Sequence, residues 1–246
     1  MTRPLDRHAA VLFDLDGVLT PTAEVHRAAW KRTFDRLLQS LYGSAAELFT
    51  LDDYLKYVDG KPRYDGVHSF LTARGIDLPP GDPSDPPSLR TEAGVGNLKN
   101  DEFRAVLEDD GVRPYPGSVA LLDHLRDSGV AVAVVSSSAN AAAVLGAAGL
   151  ADRFALVVDG IVARQERLEG KPAPDTFLFA ADRLGVRPED TAIVEDASSG
   201  VEAGAAGRFG LVVGVAREDN EEDLHKAGAD LVVADLAELL PPERQP

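Results

Sequence analysis

Short apolar runs alternate with helical segments over the second half of the chain, and this alternation is the main structural signal of the sequence. Strands separated by helices with short connections are typical of an α/β protein with a doubly wound parallel sheet. The apolar run at 9–13 has the same character, so we expect it to join that sheet. From about residue 116 onward the predicted helices are 118–128, 139–148, 175–185 and 201–206, and the predicted strands are 131–135, 191–194, 211–215 and 231–233.

The region between the first strand and the alternating segments has a different pattern. From residue 22 to about residue 107 the apolar positions follow helical spacing, and no strand-like alternation is visible. We therefore predict a core domain of residues 1–21 and 108–246, and an inserted helical domain of residues 22–107. The proline-rich segment 79–87 cannot be regular structure. We interpret it as a solvated loop, with a functional lid as the less favoured alternative.

Two aspartates directly follow the first predicted strand. In an extended chain Asp14 and Asp16 point to the same side, with Leu15 on the other. Open α/β sheets place their ligands at that strand end. Two neighbouring carboxylates repel each other unless a cation lies between them or one holds a proton, so Asp14 could be a metal-bound nucleophile and Asp16 a general acid. An EF-hand is excluded, since its sixth and twelfth positions would be Leu19 and Val25. A polar turn stays an alternative.

A cluster of hydroxyl and amide side chains follows the predicted strand 131–135. Ser136, Ser138 and Asn140 stand where the strand ends and the next helix begins. Hydroxyls and the free amides of a helix N-terminus can form an anion site. An ordinary serine N-cap is the simpler alternative.

Two further segments carry charge at strand or helix ends. Lys171 lies in a proline-stiffened loop that opens a helix, where it is either exposed or aimed at a phosphate or at Asp14. Glu195 and Asp196 end the predicted strand 191–194. Carboxylates from two strand ends form an oxygen site suited to Mg²⁺, although solvated loop acids give the same pattern.

Composition narrows the class of protein. The 246 residues are 44% hydrophobic, enough for a substantial core, and the absence of cysteine excludes disulfides and thiolate zinc sites. A net charge of -16 without a basic stripe disfavours nucleic acid and anionic membranes as partners. Only about five apolar residues precede Asp14, too few for a signal peptide or a membrane span. We predict a cytoplasmic protein, with a monomer as the default expectation.

The four segments resemble, in order, the four motifs of the haloacid dehalogenase (HAD) superfamily of aspartate-nucleophile phosphotransferases. The resemblance covers the predicted sheet domain, and the helical insert resembles the cap domain of that superfamily. It implies a HAD-like, Rossmann-like core in which Asp14 becomes phosphorylated, Asp16 is the acid and base, and Ser136 and Lys171 hold the phosphate. The core residues expected to bind metal are Asp14, Asp16, Glu195 and Asp196, and those expected to bind phosphate or substrate are Gly17, Ser136, Ser138, Asn140 and Lys171.

A narrower resemblance rests on four segments: Thr22-Ala23-Glu24-x-His26 with Trp30, Gly60-Lys61-Pro62-Arg63, Lys99-Asn100-Asp101 and Lys171-Pro172-Ala173-Pro174-Asp175. In these segments the chain is most similar, within the superfamily, to the β-phosphoglucomutases and their close bacterial relatives. The narrower resemblance implies a mutase that interconverts β-D-glucose 1-phosphate and glucose 6-phosphate, with Mg²⁺ as cofactor and glucose 1,6-bisphosphate as primer. Arg63 would grip the distal phosphate, and His26 and Lys99 would couple cap closure to substrate binding. The insert residues expected to bind substrate are Thr22, His26, Trp30, Gly60, Arg63 and Lys99.

Three alternatives to the mutase stay open. A Mg²⁺-dependent sugar-phosphate phosphatase could use the same scaffold, although Arg63 and Lys99 favour the mutase because a phosphatase need not bind a second phosphate. A catalytically silent binding module is disfavoured by the retention of both Asp14 and Asp16. A nucleotide-dependent oxidoreductase is weaker still, since the glycines near 200–207 lack the G-x-G-x-x-G spacing.

Overall fold

We analysed a computed structural model of the chain, which describes residues 4–217 and 219–241 apart from the side chains of residues 108 and 110. The backbone divides into two compact units, one formed by Met1–Pro21 with Val112–Pro246 and the other by Thr22–Gly111. The second boundary lies beyond the expected 107/108, because the last helix of the inserted unit continues to Asp110.

A six-stranded parallel sheet forms the first unit. Its strand order is β3-β2-β1-β4-β5-β6, so the first strand of the chain pairs with β2 on one side and β4 on the other. The carboxyl ends of these three strands therefore lie side by side. The strands are β1 (Ala10–Phe13), β2 (Ala131–Val135), β3 (Leu156–Val158), β4 (Thr191–Glu195), β5 (Leu211–Val215) and β6 (Leu231–Val233).

The central strands are apolar because they are buried on both faces. Every residue of β1, β4 and β5 is buried, as expected for a parallel sheet covered by helices. Leu12, Ile193 and Val212 belong to one core cluster that also contains Phe177 and Phe209, whose rings meet edge to face at 6.0 Å.

Ten α-helices complete the described part of the chain. The inserted unit contains α1 (Thr22–Tyr42), α2 (Leu51–Tyr57), α3 (Arg63–Ala73) and α4 (Glu92–Asp110). The first unit contains α5 (Pro116–Asp127), α6 (Ala141–Ala147), α7 (Gly160–Glu166), α8 (Asp175–Leu184), α9 (Ser198–Ala206) and α10 (Glu221–Ala227). None of the helices in the described ranges is long and apolar enough to cross a membrane.

Aromatic rings form the core of the inserted unit. The ring of Phe34 lies 5.1 Å from Trp30, 5.0 Å from Phe49 and 4.2 Å from Phe70, measured between centroids. Phe34 is fully buried, and these contacts join α1 to α3 and to the segment before α2. One side chain therefore contacts the three other aromatic rings of this group, which come from three segments of the unit.

Replacing Phe34 by alanine is expected to lower the free energy of unfolding of the inserted unit by about 3–5 kcal/mol, because the cavity cannot close fully. Trp30 is the only tryptophan of the chain, so urea denaturation followed by its fluorescence reports on this unit. Leu55→Ala is the control, since Leu55 is 48% exposed. Equal losses in the two variants would contradict the central role of Phe34.

Candidate active site

Asp14 occupies the first position after β1 and is buried. Its backbone N–H donates to the carbonyl of Val194 at 2.9 Å, which extends the β1–β4 pairing to the site. Its Oδ2 accepts the backbone N–H of Asp16 at 2.8 Å, and its Oδ1 accepts the ammonium of Lys171 at 2.5 Å. The pKa of Asp14 is raised to about 8: burial is the largest cause, the charge of Lys171 opposes the rise, and the charges of Glu195 and Asp16 add to it. Lys171 alone therefore does not offset the effect of burial on the Asp14 carboxylate.

Lys171 is the positive group of the site. It precedes α8, and its Nζ donates to Asp14 Oδ1 and Glu195 Oε1, both at 2.5 Å, and to the carbonyl of Val135 at 3.0 Å. The ammonium also lies 5.0 Å from the ring centroid of Phe177. Burial lowers the pKa of Lys171, but the two carboxylates outweigh burial and leave that pKa above its ordinary value. The alternative of an exposed lysine is wrong.

Three carboxylates lie close together in the site, and two of them contact Lys171. Asp14, Glu195 and Asp196 each offer an oxygen, and these atoms all lie within 4.8 Å of one another. When ionised, three carboxylates against one ammonium leave two negative charges uncompensated. Closely spaced hard oxygen ligands with this charge fit a divalent cation such as Mg²⁺. The carboxylate of Asp16 is outside this group.

Two glycines make room for the acidic side chains. Gly17 has a φ of +87°, and a Cβ there would lie 1.7 Å from Oδ2 of Asp196. A Cβ at Gly200 would lie 1.8 Å from Oε1 of Glu195. The other oxygen of Glu195 accepts the backbone N–H groups of Asp196 and Ala197, both at 3.1 Å. A larger residue at either glycine would therefore displace a carboxylate of the site.

The hydroxyl segment after β2 is held by its own turns. Ser136 is buried, and its Oγ accepts the N–H of Ser138 at 3.1 Å. The Oγ of Ser138 in turn accepts the N–H of Asn140 at 3.1 Å. Asn140 is the N-cap residue of α6 and makes no side-chain cap bond, so the expected serine N-cap is wrong. Ser136 follows Val135, whose carbonyl binds Lys171.

Arg217 is a site residue that the sequence analysis missed. Its Nε donates to the carbonyl of Gly17 at 2.8 Å, and its Nη1 donates to Oδ2 of Asp235 at 3.0 Å. The guanidinium lies 3.8 Å from the ring centroid of Tyr115. Arg217 therefore fixes the backbone beside the two aspartates. The available signal was its position two residues after β5, at the same sheet edge.

The inserted unit brings three of its predicted residues together. Lys99 is 3% exposed, contacts Nδ1 of His26, and lies 5.0 Å from the ring of Trp30 and 5.1 Å from that of Phe103. His26 stacks on Phe103 at 3.9 Å. Thr22 is buried at the start of α1. The compact polar and aromatic cluster within the unit consists of His26, Trp30, Lys99 and Phe103.

Two other predicted residues of the inserted unit, Gly60 and Arg63, lie before α3 and at its start. Gly60, with a φ of +68°, stands in the connection between α2 and α3. Arg63 is the first residue of α3 and is half-buried. Its Nη2 donates to Oδ1 of Asn100 at 2.7 Å, and its Nη1 donates to Oδ1 of Asn97 at 3.4 Å. Neutral amide oxygens on α4 therefore hold this guanidinium.

Fold, site and sequence place the chain in a known class. The chain belongs to the haloacid dehalogenase-like hydrolase family, whose model matches residues 8–208. The predicted superfamily and the predicted parallel α/β fold are confirmed.

Named relatives match over most of the chain. A β-phosphoglucomutase from Mycobacterium tuberculosis is 50% identical over 239 residues, which cover 94% of this chain and 91% of that protein. A fructose-1-phosphate phosphatase from Escherichia coli is 31% identical over 205 residues, which cover 82% and 93%. The crystal structure of a β-phosphoglucomutase from Clostridium difficile matches with a TM-score of 0.75 and 26% identity, covering 96% of this chain and 94% of that one.

Replacing Lys171 by methionine is expected to destabilise the metal-free protein by about 3–5 kcal/mol, because buried carboxylates lose their partner. Mg²⁺ should then raise the melting temperature of this variant more than that of the wild type. Thermal unfolding with EDTA and with Mg²⁺ measures both effects. Lys226→Met is the control, since its side chain is 64% exposed. If the two variants respond alike, Lys171 does not balance the acidic cluster.

Proposed function

We propose that the protein is a phosphomutase that interconverts β-D-glucose 1-phosphate and glucose 6-phosphate. The observation that carries this proposal is the carboxylate of Asp14, buried at the end of β1 and held by Lys171 beside Glu195 and Asp196. A buried carboxylate next to a cation site suits nucleophilic attack on a phosphoryl group. The M. tuberculosis relative, a β-phosphoglucomutase, supports the choice of substrate.

The first half-reaction would phosphorylate Asp14. A carboxylate oxygen of Asp14 attacks phosphorus, and the bond between phosphorus and the sugar oxygen breaks. Lys171 and the hydroxyl of Ser136 stabilise the charge on the phosphoryl oxygens. Asp16 donates its proton to the departing sugar oxygen. Mg²⁺ bound by Asp14, Glu195 and Asp196 would supply further positive charge where the transition state needs it.

The second half-reaction would return the phosphoryl group to the sugar. Asp16, now ionised, accepts the proton of a sugar hydroxyl as that oxygen attacks the aspartyl phosphate. The bond between phosphorus and Asp14 breaks, which regenerates the carboxylate. With a monophosphate as acceptor the product is glucose 1,6-bisphosphate, which can donate its other phosphate to Asp14 in the next turn. The bisphosphate is therefore both primer and intermediate.

Arg63 distinguishes a mutase from a phosphatase in this proposal. A mutase must bind a phosphate that is not being transferred, whereas hydrolysis of a monophosphate has no such group. Arg63 is half-buried and held by the amide of Asn100, and a guanidinium can bind a phosphate through two parallel hydrogen bonds. We assign it to the non-transferred phosphate.

A sugar-phosphate phosphatase is the second candidate function. One observation favours it specifically, the 31% identity to the E. coli fructose-1-phosphate phosphatase. Such an enzyme would use the same Asp14 nucleophile and then admit water to the aspartyl phosphate. The ratio of isomerised sugar to released phosphate decides between the two functions.

Asp14→Asn is expected to abolish both isomerisation and phosphate release, since an amide is a poor nucleophile. Asp16→Asn should lose roughly two to four decades in rate, because it removes the proton donor but keeps the nucleophile. Both rates are followed with β-glucose 1-phosphate and glucose 1,6-bisphosphate, and circular dichroism checks the fold. Turnover by Asp14→Asn close to that of wild type would refute the nucleophile assignment.

Arg63→Ala is expected to slow bisphosphate-primed isomerisation by roughly one to two decades, the effect of losing a charge-assisted contact. Hydrolysis of acetyl phosphate, which has no second phosphate, should be nearly unchanged. Arg36→Ala is the matched control, since that arginine is a surface residue of the same unit with a side chain 57% exposed. If wild type releases phosphate far faster than it forms glucose 6-phosphate, the phosphatase replaces the mutase.

A further inference from the structure

The proline-rich segment 79–87 is exposed, but its backbone is hydrogen-bonded to the first turn of α4. The carbonyls of Pro79 and Pro80 accept the N–H groups of Glu92 and Ala93 at 2.9 and 3.0 Å. Within the segment, Oδ2 of Asp85 accepts the hydroxyl of Thr91 at 2.9 Å. The segment therefore has a fixed backbone beside the first turn of α4, which the interpretation as a solvated loop did not anticipate.

Asn97, in the second turn of α4, connects this segment to α3. Its Nδ2 donates to the carbonyls of Pro83 at 3.1 Å and Asp85 at 2.8 Å. Its Oδ1 accepts the hydroxyl of Tyr64 at 2.9 Å and Nη1 of Arg63 at 3.4 Å. Both N–H groups thus face the loop, and both lone pairs of the oxygen face α3. If the amide were flipped, its NH₂ group would face the donors of Tyr64 and Arg63, and its oxygen would face the two loop carbonyls. The hydrogen bonds therefore determine the orientation of the Asn97 amide.

The packing of α3 on α4 makes this connection close. Gly96 lies beneath the side chains of α3, and a Cβ there would be 3.0 Å from Cδ1 and Cε1 of Tyr64 and 3.2 Å from Cδ of Arg63. Asn100, one helical turn after Asn97, accepts Nη2 of Arg63 at 2.7 Å. Two amides on one side of α4 therefore hold the two terminal nitrogens of one guanidinium.

Neutral partners have a particular consequence for Arg63. A carboxylate at Asn97 or Asn100 would orient the guanidinium but also cancel its charge. An amide oxygen orients it without adding a negative charge. Fixing a forked donor in advance reduces the entropy lost when the ligand binds.

We propose that Asn97 is a positioning residue through which the segment 79–87 sets the direction of the Arg63 guanidinium toward the non-transferred phosphate of a sugar bisphosphate. This inference rests on the proposed function. It gives the proline-rich segment a task in binding, since the carbonyls of Pro83 and Asp85 fix the amide that fixes Arg63.

Asn97→Ala is expected to raise the KM for glucose 1,6-bisphosphate about three- to tenfold, the effect of lost neutral hydrogen bonds. The kcat at saturating bisphosphate and the hydrolysis of acetyl phosphate should stay within about twofold of wild type, because neither depends on the affinity for a second phosphate. Ser84→Ala is the control, since its hydroxyl bonds Asp82 within the loop and does not touch Asn97.

A double-mutant cycle tests whether Asn97 acts through Arg63. In the Arg63→Ala background, Asn97→Ala should cause no further rise in KM. Gly81→Val tests the loop itself, because a Cβ at Gly81 would lie 2.4 Å from Oδ2 of Asp85. It should raise KM alone but add nothing to Asn97→Ala.

The outcomes separate this inference from the proposed function. If wild type does not isomerise the sugar phosphate, the proposed function and the inference both fail. If wild type isomerises and Asn97→Ala has an unchanged KM, only the inference fails. An additional rise in the Arg63→Ala background, or an equal loss of acetyl phosphate hydrolysis, would also overturn it, since Asn97 would then act directly or through the general fold.

Discussion

The core unit depends on one buried ammonium group. Lys171 donates to Asp14 and Glu195, which stand 157 and 24 residues away in sequence, and to the carbonyl of Val135. Burying these charges is costly, and removing one partner would leave an uncompensated carboxylate in the interior. The parallel order of β2, β1 and β4 brings the three acceptors to one edge. Sheet topology and charge balance therefore specify the same site.

The charge balance is incomplete, and this incompleteness is chemically useful. Because the pKa of Asp14 is raised, the cluster without a cation favours a proton on this buried carboxylate. A divalent cation can replace that proton and leave Asp14 ionised as a nucleophile. Gly17 and Gly200 leave space for the carboxylates of Asp196 and Glu195. The side chain of Arg217 holds the backbone carbonyl of Gly17.

Much of the fold could be predicted from the sequence, whereas several short elements and long-range contacts could not. Strands β2, β5 and β6 have the predicted bounds, because each is a short run of apolar residues or glycine. The short strand Leu156–Val158 and the helices Gly160–Glu166 and Glu221–Ala227 were not predicted. The last of these buries only Leu224, so it has no apolar stripe. Asp14 and Lys171 could be proposed from strand-end and loop positions. Arg217 also follows a strand end, but the partners of Arg217 and Asn97 are distant backbone carbonyls, which no local pattern identifies.

The two units hold charged groups by opposite means. In the core, Lys171 pairs with two carboxylates and a third lies close to them, so the surplus charge is negative and suits a cation. In the inserted unit, Arg63 is held by the amides of Asn97 and Asn100, so its positive charge is not cancelled by them and suits an anion. A chain with a net charge of -16 repels a doubly phosphorylated sugar at long range. Attraction must therefore come from a few local positive groups, and neutral amides are the partners that fix such a group without weakening it.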